Sequence, residues 1–405
     1  MNFFSKILKS RDNALAGAWM INSIAYSIVY PFIPVYLHQT RNLPMEQAGL
    51  IFPVMASASI FLPPLAGWLS DHYPRTVLMR IGQGGRAFLF LTLALMIRLE
   101  APFWVFCILF FLNSGTGVIF ENSADAYLSS FTTKEERPHS YSKLRIGVNI
   151  GWALGPAAGA FLASWPYELL FIITGCICIC SERFIRYILP ETKRLPREPE
   201  LKPLENKGGS LWKDHYILAV LSGVFLLVML SAQLYSVLGV YATKVVELSR
   251  RELGFVYFFN GFTIILGQIP ITALMGRLKI PHTWRLVIGA GFYFCGYFYL
   301  GFAKNFFDVV CSVIILTLGE LIVQVAIYAV VTAVAPPDRV GRYLSGWVFV
   351  RGAAAALGPY IGSLLFARLT ASPVLLWAIL SGFGGCAALV FAGIAFNRSR
   401  KMIAD

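Results

Sequence analysis

Five ionisable residues stand inside stretches that are otherwise apolar: Arg86, Glu121, Asp125, Glu320 and Arg351. A charge at the centre of a bilayer costs on the order of 3 kcal/mol or more, so such residues persist only where they are paired, hydrated or put to work. Glu320 is the deepest acid, about 13 residues and roughly 20 Å into its apolar run. A carboxyl at that depth can load and release a proton as access to it alternates. The competing assignment is a static ion pair with Arg351 on the neighbouring span. Glu121 and Asp125 are four residues apart and share one helix face, and Arg86 is placed to neutralise Glu121.

The elements that must position these groups follow from composition. At 57% hydrophobic and 14% charged residues, with a mean hydropathy of +0.66, the 405-residue chain has too little polar surface to be a soluble globule. It is expected to be an all-α integral membrane protein. Apolar runs of spanning length fall at 14–37, 48–69, 78–98, 102–128, 144–164, 167–189, 216–241, 252–275, 284–303, 307–335, 343–367 and 373–396. These twelve transmembrane helices place both termini on one side. The first run is too long for a signal-peptide core and is followed by no small-residue cleavage site, so it is expected to stay in the mature protein.

Charge gives the orientation. One set of connecting segments holds most of the 34 lysines and arginines, among them Lys6, Lys9, Arg11, Arg75, Arg80, Arg137, Lys143, Arg183, Arg186, Arg277, Arg339 and Arg398. The other set holds only Arg41, Arg98, Lys244, Arg250, Arg251, Lys304 and Arg368. The lysine-rich side is expected to be cytoplasmic, with both termini there. The net charge of +13 then faces an anionic leaflet of membrane lipids and calls for no nucleic-acid partner.

One long polar stretch, Pro190 to Ser210, is rich in proline and charge and divides the chain into a bundle over 1–189, a cytoplasmic linker over 190–213 and a second bundle over 214–405. The halves repeat weakly. Leu154-Gly155-Pro156-Ala157-Ala158-Gly159 returns as Leu357-Gly358-Pro359-Tyr360-Ile361-Gly362, and Arg137 and Tyr141 precede the first copy much as Arg339 and Tyr343 precede the second. Two pseudo-symmetric six-helix bundles imply a twofold along the membrane normal and a substrate site between them near the midplane. Glycine also recurs at Gly147, Gly151, Gly155 and Gly159, which clears one helix face for a close backbone neighbour, and Pro156 permits a kink. The two glycine-proline copies are expected to face each other across the twofold and let the halves hinge.

At this point the chain resembles the major facilitator superfamily over essentially its whole length, and within it the twelve-span drug:proton antiporters. The fifth-span glycines match the antiporter motif GxxxGxxxGPxxGG except at Ala160, and Gly67-Trp68-Leu69-Ser70-Asp71-His72-Tyr73-Pro74-Arg75 is similar to the G-x-L-[SA]-D-x-x-G-R signature, with Pro74 where glycine is usual. The second half keeps Gly276 and Arg277 of that signature and loses the aspartate. The resemblance implies the major facilitator fold, with the first, fourth, seventh and tenth helices lining a central cavity, which brings Glu320 there. It also implies a conformational latch in which Gly67, Asp71 and Arg75 act with Asp125, the alternative being a solvated loop. The fourth-span arginine of many drug antiporters is missing from Phe111-Leu112-Asn113-Ser114-Gly115, and Arg86 is the candidate replacement.

Further polar groups within spans are Asn22, Tyr26, Tyr30, Gln233, Tyr235, Asn260, Gln268 and Gln324. They are candidates for the wall of an amphipathic substrate cavity, and equally for polar glue between helices. Other chemistry finds no support. There is no phosphate loop and no H-E-x-x-H; the histidines sit at loops or span ends; and the seven cysteines, odd in number, include a Cys176, Cys178, Cys180 cluster whose spacing splays the thiols around a helix. The expectation is a non-enzymatic, proton-coupled secondary transporter of the bacterial inner membrane. It would act as a monomer with no metal or cofactor, drawing on the proton gradient to export a small amphipathic molecule of drug or siderophore size. A proton-symport importer of a small solute, a lipid flippase and a non-transporting sensor are the alternatives.

Overall fold

The computed structural model describes residues 10–133, 136–162, 165–191, 214–334 and 340–404. Most of the expected linker and Arg339 lie outside the described residues. The first span opens with α1 (Arg11–Val29) and continues through a 3-10 turn (Tyr30–Phe32), one further helical turn (Ile33–Val35) and a π turn (Tyr36–Thr40). The second is broken into α2 (Met45–Gly49), α3 (Ile51–Phe61) and α4 (Pro63–His72), bent by 42° where Pro63 and Pro64 can donate no backbone hydrogen bond. Spans three to six are α5 (Arg75–Arg98), α6 (Phe103–Ser129), α7 (Arg137–Leu162) and α8 (Tyr167–Ile188). The seventh is α9 (His215–Ser231), a 3-10 turn (Ala232–Tyr235) and α10 (Val237–Lys244). Spans eight to twelve are α11 (Arg250–Arg277), α12 (His282–Leu300), α13 (Phe306–Val334), α14 (Val340–Leu369) and α15 (Pro373–Ala404).

The twelve transmembrane helices predicted by hydropathy are therefore present, with ends within a few residues of those drawn, except that α7 begins earlier and α15 runs on to Ala404. Seven of the helical stretches among the described residues are long and apolar enough to cross a membrane by composition alone, and the bent pair adds an eighth. The remaining spans, α5, α7, α8 and α12, carry the arginines, glycines and tyrosines that lower mean hydropathy while serving packing and polar contacts. Local signals set several starts: Asp214 caps α9 by accepting from the amides of Tyr216 and Ile217, and Ser249 and Glu252 form a reciprocal capping box on α11.

The chain forms two compact units. The first comprises Met1–Ile33 and Val54–Asn206, the second Pro34–Pro53 and Lys207–Asp405. Where the sequence suggested a single division at the linker, the structure also groups the end of the first span and the start of the second with the C-terminal helices. Gln39 Nε2 donates to Thr243 Oγ1 at 2.7 Å, His38 Nε2 lies 2.9 Å from Lys244 Nζ, and a side chain at Gly49 would meet Ser363.

Within the first unit, Leu15, Met79, Phe120, Tyr127, Leu144 and Ile185 join five helices in one apolar core. Lys143 Nζ and Asp12 Oδ2 pair across the starts of α7 and α1 at 2.6 Å. The glycine face of α7 is filled by α1: Gly151 lies against Met20 and Ser23, Gly155 against Ile24 and Ser27, and Gly159 against Ile28 and Phe32. Ser27 Oγ donates across this contact to the carbonyl of Gly151 at 3.0 Å. The second unit repeats the arrangement with its own first helix, since Gly358 lies against the backbone of Met229 and Gln233 Nε2 donates to the carbonyl of Gly358 at 2.7 Å. Both glycine-proline copies are therefore packed within their own units. Each is occupied by the leading span of its own half, because a cleared helix face takes the nearest backbone that can fill it.

An added side chain in such a contact has nowhere to go. Gly155→Val would place carbon against Ser27 and 3.0 Å from the Ile24 carbonyl. It is expected to lower the thermal unfolding midpoint of the detergent-solubilised protein, at a cost of about 1–3 kcal/mol or more. Gly393→Ala, where nothing lies within 4 Å of the new carbon, should melt like the parent.

Candidate functional site

Among the described residues, each unit contains a polar cluster built around a charge within a span. In the first unit α1, α5 and α6 bring together Asn22, Gln83 and Arg86, all buried. Asn22 Oδ1 accepts from Gln83 Nε2 at 2.8 Å and from Arg86 Nη1 at 2.5 Å. The guanidinium lies against Gly117, where any side chain would collide with it, and stands 5.4 Å from the Tyr26 ring centre. Tyr26 stacks on Tyr30 at 5.0 Å, and both meet Trp152 of α7 edge-on at 6.1 and 5.9 Å. Cation and aromatic face attract, which offsets part of the cost of burying Arg86.

Arg86 therefore takes Asn22 as its hydrogen-bond partner, a contact the sequence did not suggest beside Glu121. It reaches α6 at Gly117, one turn before Glu121, and the missing side chain there lets it pass toward α1. Glu121 still acts electrostatically on Tyr26, as Arg86 does, so the two charges share one neighbourhood. Asp125, one turn further along α6, is exposed and lies within electrostatic reach of Glu121 and of Tyr141 on α7. Arg137 Nη2 donates to the Ser129 carbonyl at 3.2 Å, joining the start of α7 to the end of α6. The other latch residues stand beside a two-residue turn: Asp71 in the last turn of α4 and Arg75 at the first position of α5, with Gly67 facing open space.

In the second unit the cluster is centred on Glu320 of α13, which is half-buried. Gln324 Nε2 donates to Glu320 Oε1 at 2.9 Å, and the Asn260 side chain of α11 lies close to the same carboxyl. Asn260 Nδ2 also donates to Thr317 Oγ1 at 2.8 Å, while Tyr235 in the seventh-span turn donates to Asn260 Oδ1 at 3.1 Å. Tyr293 and Tyr297, stacked on one face of α12, complete an aromatic wall within electrostatic reach of Glu320. Arg351 is not a member of the cluster. It is exposed on α14, with its guanidinium 5.6 Å from the Trp347 ring centre. The static Glu320–Arg351 pair is thus absent, and the carboxyl is held entirely by neutral donors among the described residues.

The remaining predicted cavity residues divide. Gln233 is fully buried, its amide donating to Met229 and Gly358, so it joins helices and lines no cavity. Gln268 bonds Thr272 on its own helix at 3.2 Å. Sequence reasoning passed over Gln83, Trp152, Thr317, Tyr293 and Tyr297. The spacing of Gln83 and Thr317, each three residues before a buried charge on the same helix, was the available signal. No group of three or more candidate metal ligands occurs among the described residues.

The sequence profile of the Major Facilitator Superfamily matches residues 15–359. The chain belongs to that superfamily. Relatives include the uncharacterized MFS-type transporter YttB of Bacillus subtilis (strain 168), 23% identical over 85% of either chain, and the multi-drug resistance efflux pump PmrA homolog of Lactococcus lactis subsp. lactis (strain IL1403), 21% identical over 86% of either. Among solved structures, a peptide transporter POT superposes with a TM-score of 0.76 at 13% identity, covering 99% of both chains. A bacterial homolog of the human lysosomal transporter Spinster gives 0.72 at 15%, covering 96% of this chain and 95% of its own. Membership makes the protein a multi-pass membrane transporter of small molecules and not an enzyme.

The shared acceptor in the first cluster can be tested. Asn22→Ala leaves Gln83 and Arg86 without it and should destabilise the detergent-solubilised transporter by about 1.5–3 kcal/mol. Asn22→Asp, which gives the buried guanidinium a carboxylate, should melt at least as high as the alanine variant in the same assay.

Proposed function

We propose that this superfamily member is a proton-coupled exporter of small amphipathic molecules, working by alternating access in a cytoplasmic membrane with both termini on the cytoplasmic side. The observation that carries the reading is the Glu320 carboxyl, which accepts from Gln324, lies close to Asn260 and has no ion-pair partner among the described residues. Taking up a proton there relieves the cost of a buried charge without breaking an ion pair, so loading and release can follow access. The first unit supplies the opposite case, a buried Arg86 held by neutral groups beside Tyr26 and near Glu121. An aromatic surface from Tyr26, Tyr30 and Trp152 suits a flat, partly apolar cargo. Export is supported by the likeness to the multi-drug resistance efflux pump PmrA homolog.

In this reading the glycine faces of α7 and α14 bind each leading span firmly, so each half moves as a rigid body and the hinge lies elsewhere in the polypeptide. Asp71, Arg75 and Asp125 form the latch that biases one state, at a surface where charges break and re-form at little cost. The proton gradient is the only energy source, and the functional unit is a monomer. Uptake by proton symport uses the same groups and differs in the direction of cargo flow.

The deciding measurement is proton-driven transport in proteoliposomes with ethidium as a planar amphipathic cation. Wild type should move ethidium against its gradient when a pH gradient is imposed and should acidify or alkalinise the lumen in response to an ethidium gradient. Glu320→Gln, which stays in the protonated shape, should lose both, falling to the level of empty liposomes, while still exchanging ethidium down its gradient. A Glu320→Gln protein that retains pH-driven accumulation would remove Glu320 as the carrier.

A further inference from the structure

A groove of about 610 Å³ runs along the outside of the first unit between α5 and α8, and none of its lining residues belongs to that unit's Asn22–Gln83–Arg86 cluster. Its two ends differ in chemistry. At one end Arg80 Nε meets Glu182 Oε1 at 2.8 Å, and Arg183 Nε lies 3.6 Å from the other oxygen of the same carboxylate. Two arginines share one acid, so the end keeps a net positive charge, and Arg186, exposed one turn along α8, adds to it. Glu182 engages only the Nε side of Arg80, leaving its terminal guanidinium nitrogens without a hydrogen bond among the described residues. Toward the other end the lining becomes wholly apolar, with Ile81, Phe88 and Leu91 of α5 and Ile179 of α8. Ile81 is 55% and Phe88 69% exposed, and Gly84 between them leaves open space where a side chain would otherwise stand.

A basic head and an apolar trough on the membrane-facing side of a transporter match one kind of occupant. We propose that this groove is a specific binding site for an anionic phospholipid, its phosphate taken by Arg80 and Arg183 and one acyl chain lying over Gly84 between Ile81, Phe88 and Leu91. Along α5 the distance from Arg80 to Leu91 is about 16 Å, enough for most of an extended acyl chain. Glu182 sets the selectivity. By anchoring both arginines on one side it presents their free donors outward, and by neutralising one charge it leaves room for a single anion. A zwitterionic headgroup brings its own cation against the arginines and is disfavoured. Because α5 carries Gln83 and Arg86 on its opposite, inward side, a lipid seated here also braces the helix that holds the first charge cluster.

Binding is measured on the intact, detergent-solubilised protein, by native mass spectrometry and by the rise in thermal unfolding midpoint as lipid is titrated, and neither readout depends on transport direction or proton coupling. Phosphatidylglycerol should bind saturably and raise the midpoint, phosphatidylcholine should do so at least tenfold more weakly, and inorganic phosphate should have no effect. Gly84→Leu, which fills the trough without touching a packed neighbour, and Arg183→Gln, at the exposed rim, should each weaken phosphatidylglycerol binding tenfold or more while melting normally without lipid. Equal binding of the two lipids, phosphate alone reproducing the stabilisation, or unchanged phosphatidylglycerol binding by both variants would overturn the proposal. In that last case the arginines merely extend to the aqueous boundary.

Discussion

Hydrocarbon offers no hydrogen-bond partner, so every polar group carried into the membrane must be satisfied by the protein itself. That constraint explains both the glycine faces and the two polar clusters. A helix pair separated by ordinary side chains could not bring Ser27 Oγ to the Gly151 carbonyl, nor Gln233 to that of Gly358. Glycine removes the intervening bulk, the backbones approach, and polar groups that would be costly in lipid become bonds between helices. Gly117 does the same for a side chain, giving the Arg86 guanidinium a space that any larger residue would take.

The two clusters answer the constraint in opposite ways. In the first unit a cation that stays charged at all physiological pH is buried among an asparagine, a glutamine and an aromatic face. In the second an acid, whose charge can be removed by a proton, accepts from a glutamine and stands beside an asparagine that is itself bonded to a threonine and a tyrosine. Only the second can change its charge during a cycle. The fixed charge of Arg86 suits a role in setting the electrostatic background against which Tyr26 and Glu121 act, whereas Glu320 suits a moving one. Among the described residues both centres are held by neutral groups, whereas a tight ion pair would have to be broken before either charge could meet another partner.

Much of the fold was legible because it rests on local regularities. The hydropathy runs gave the twelve spans to within a few residues, the Pro63-Pro64 pair marks the bend of the second, and Asp214 and Ser249 announce helix starts by their chemistry. The repeat of Leu-Gly-Pro in the two halves predicted equivalent helices, and α7 and α14 do make equivalent contacts. The importance of Asn260, Gln324 and Tyr235 beside Glu320 was suggested by their types within spans. Their joining into one network was not, because they come from three separate elements.

The sequence by itself determined that the chain crosses a membrane, which helix faces are cleared and which charges fall within the spans, since hydropathy and helical period act along the chain; of the five charges within spans only Arg86 is buried in the protein. Only the tertiary structure decided what meets those faces. The leading span of the same half fills each glycine face, Asn22 accepts from Arg86, Arg351 stays away from Glu320, and Gln233 disappears into a helix contact. Periodicity fixes the direction in which a side chain points, but the group it finds there comes from a helix many residues away. Several helices offer chemically similar partners, and close packing of the whole bundle selects among them.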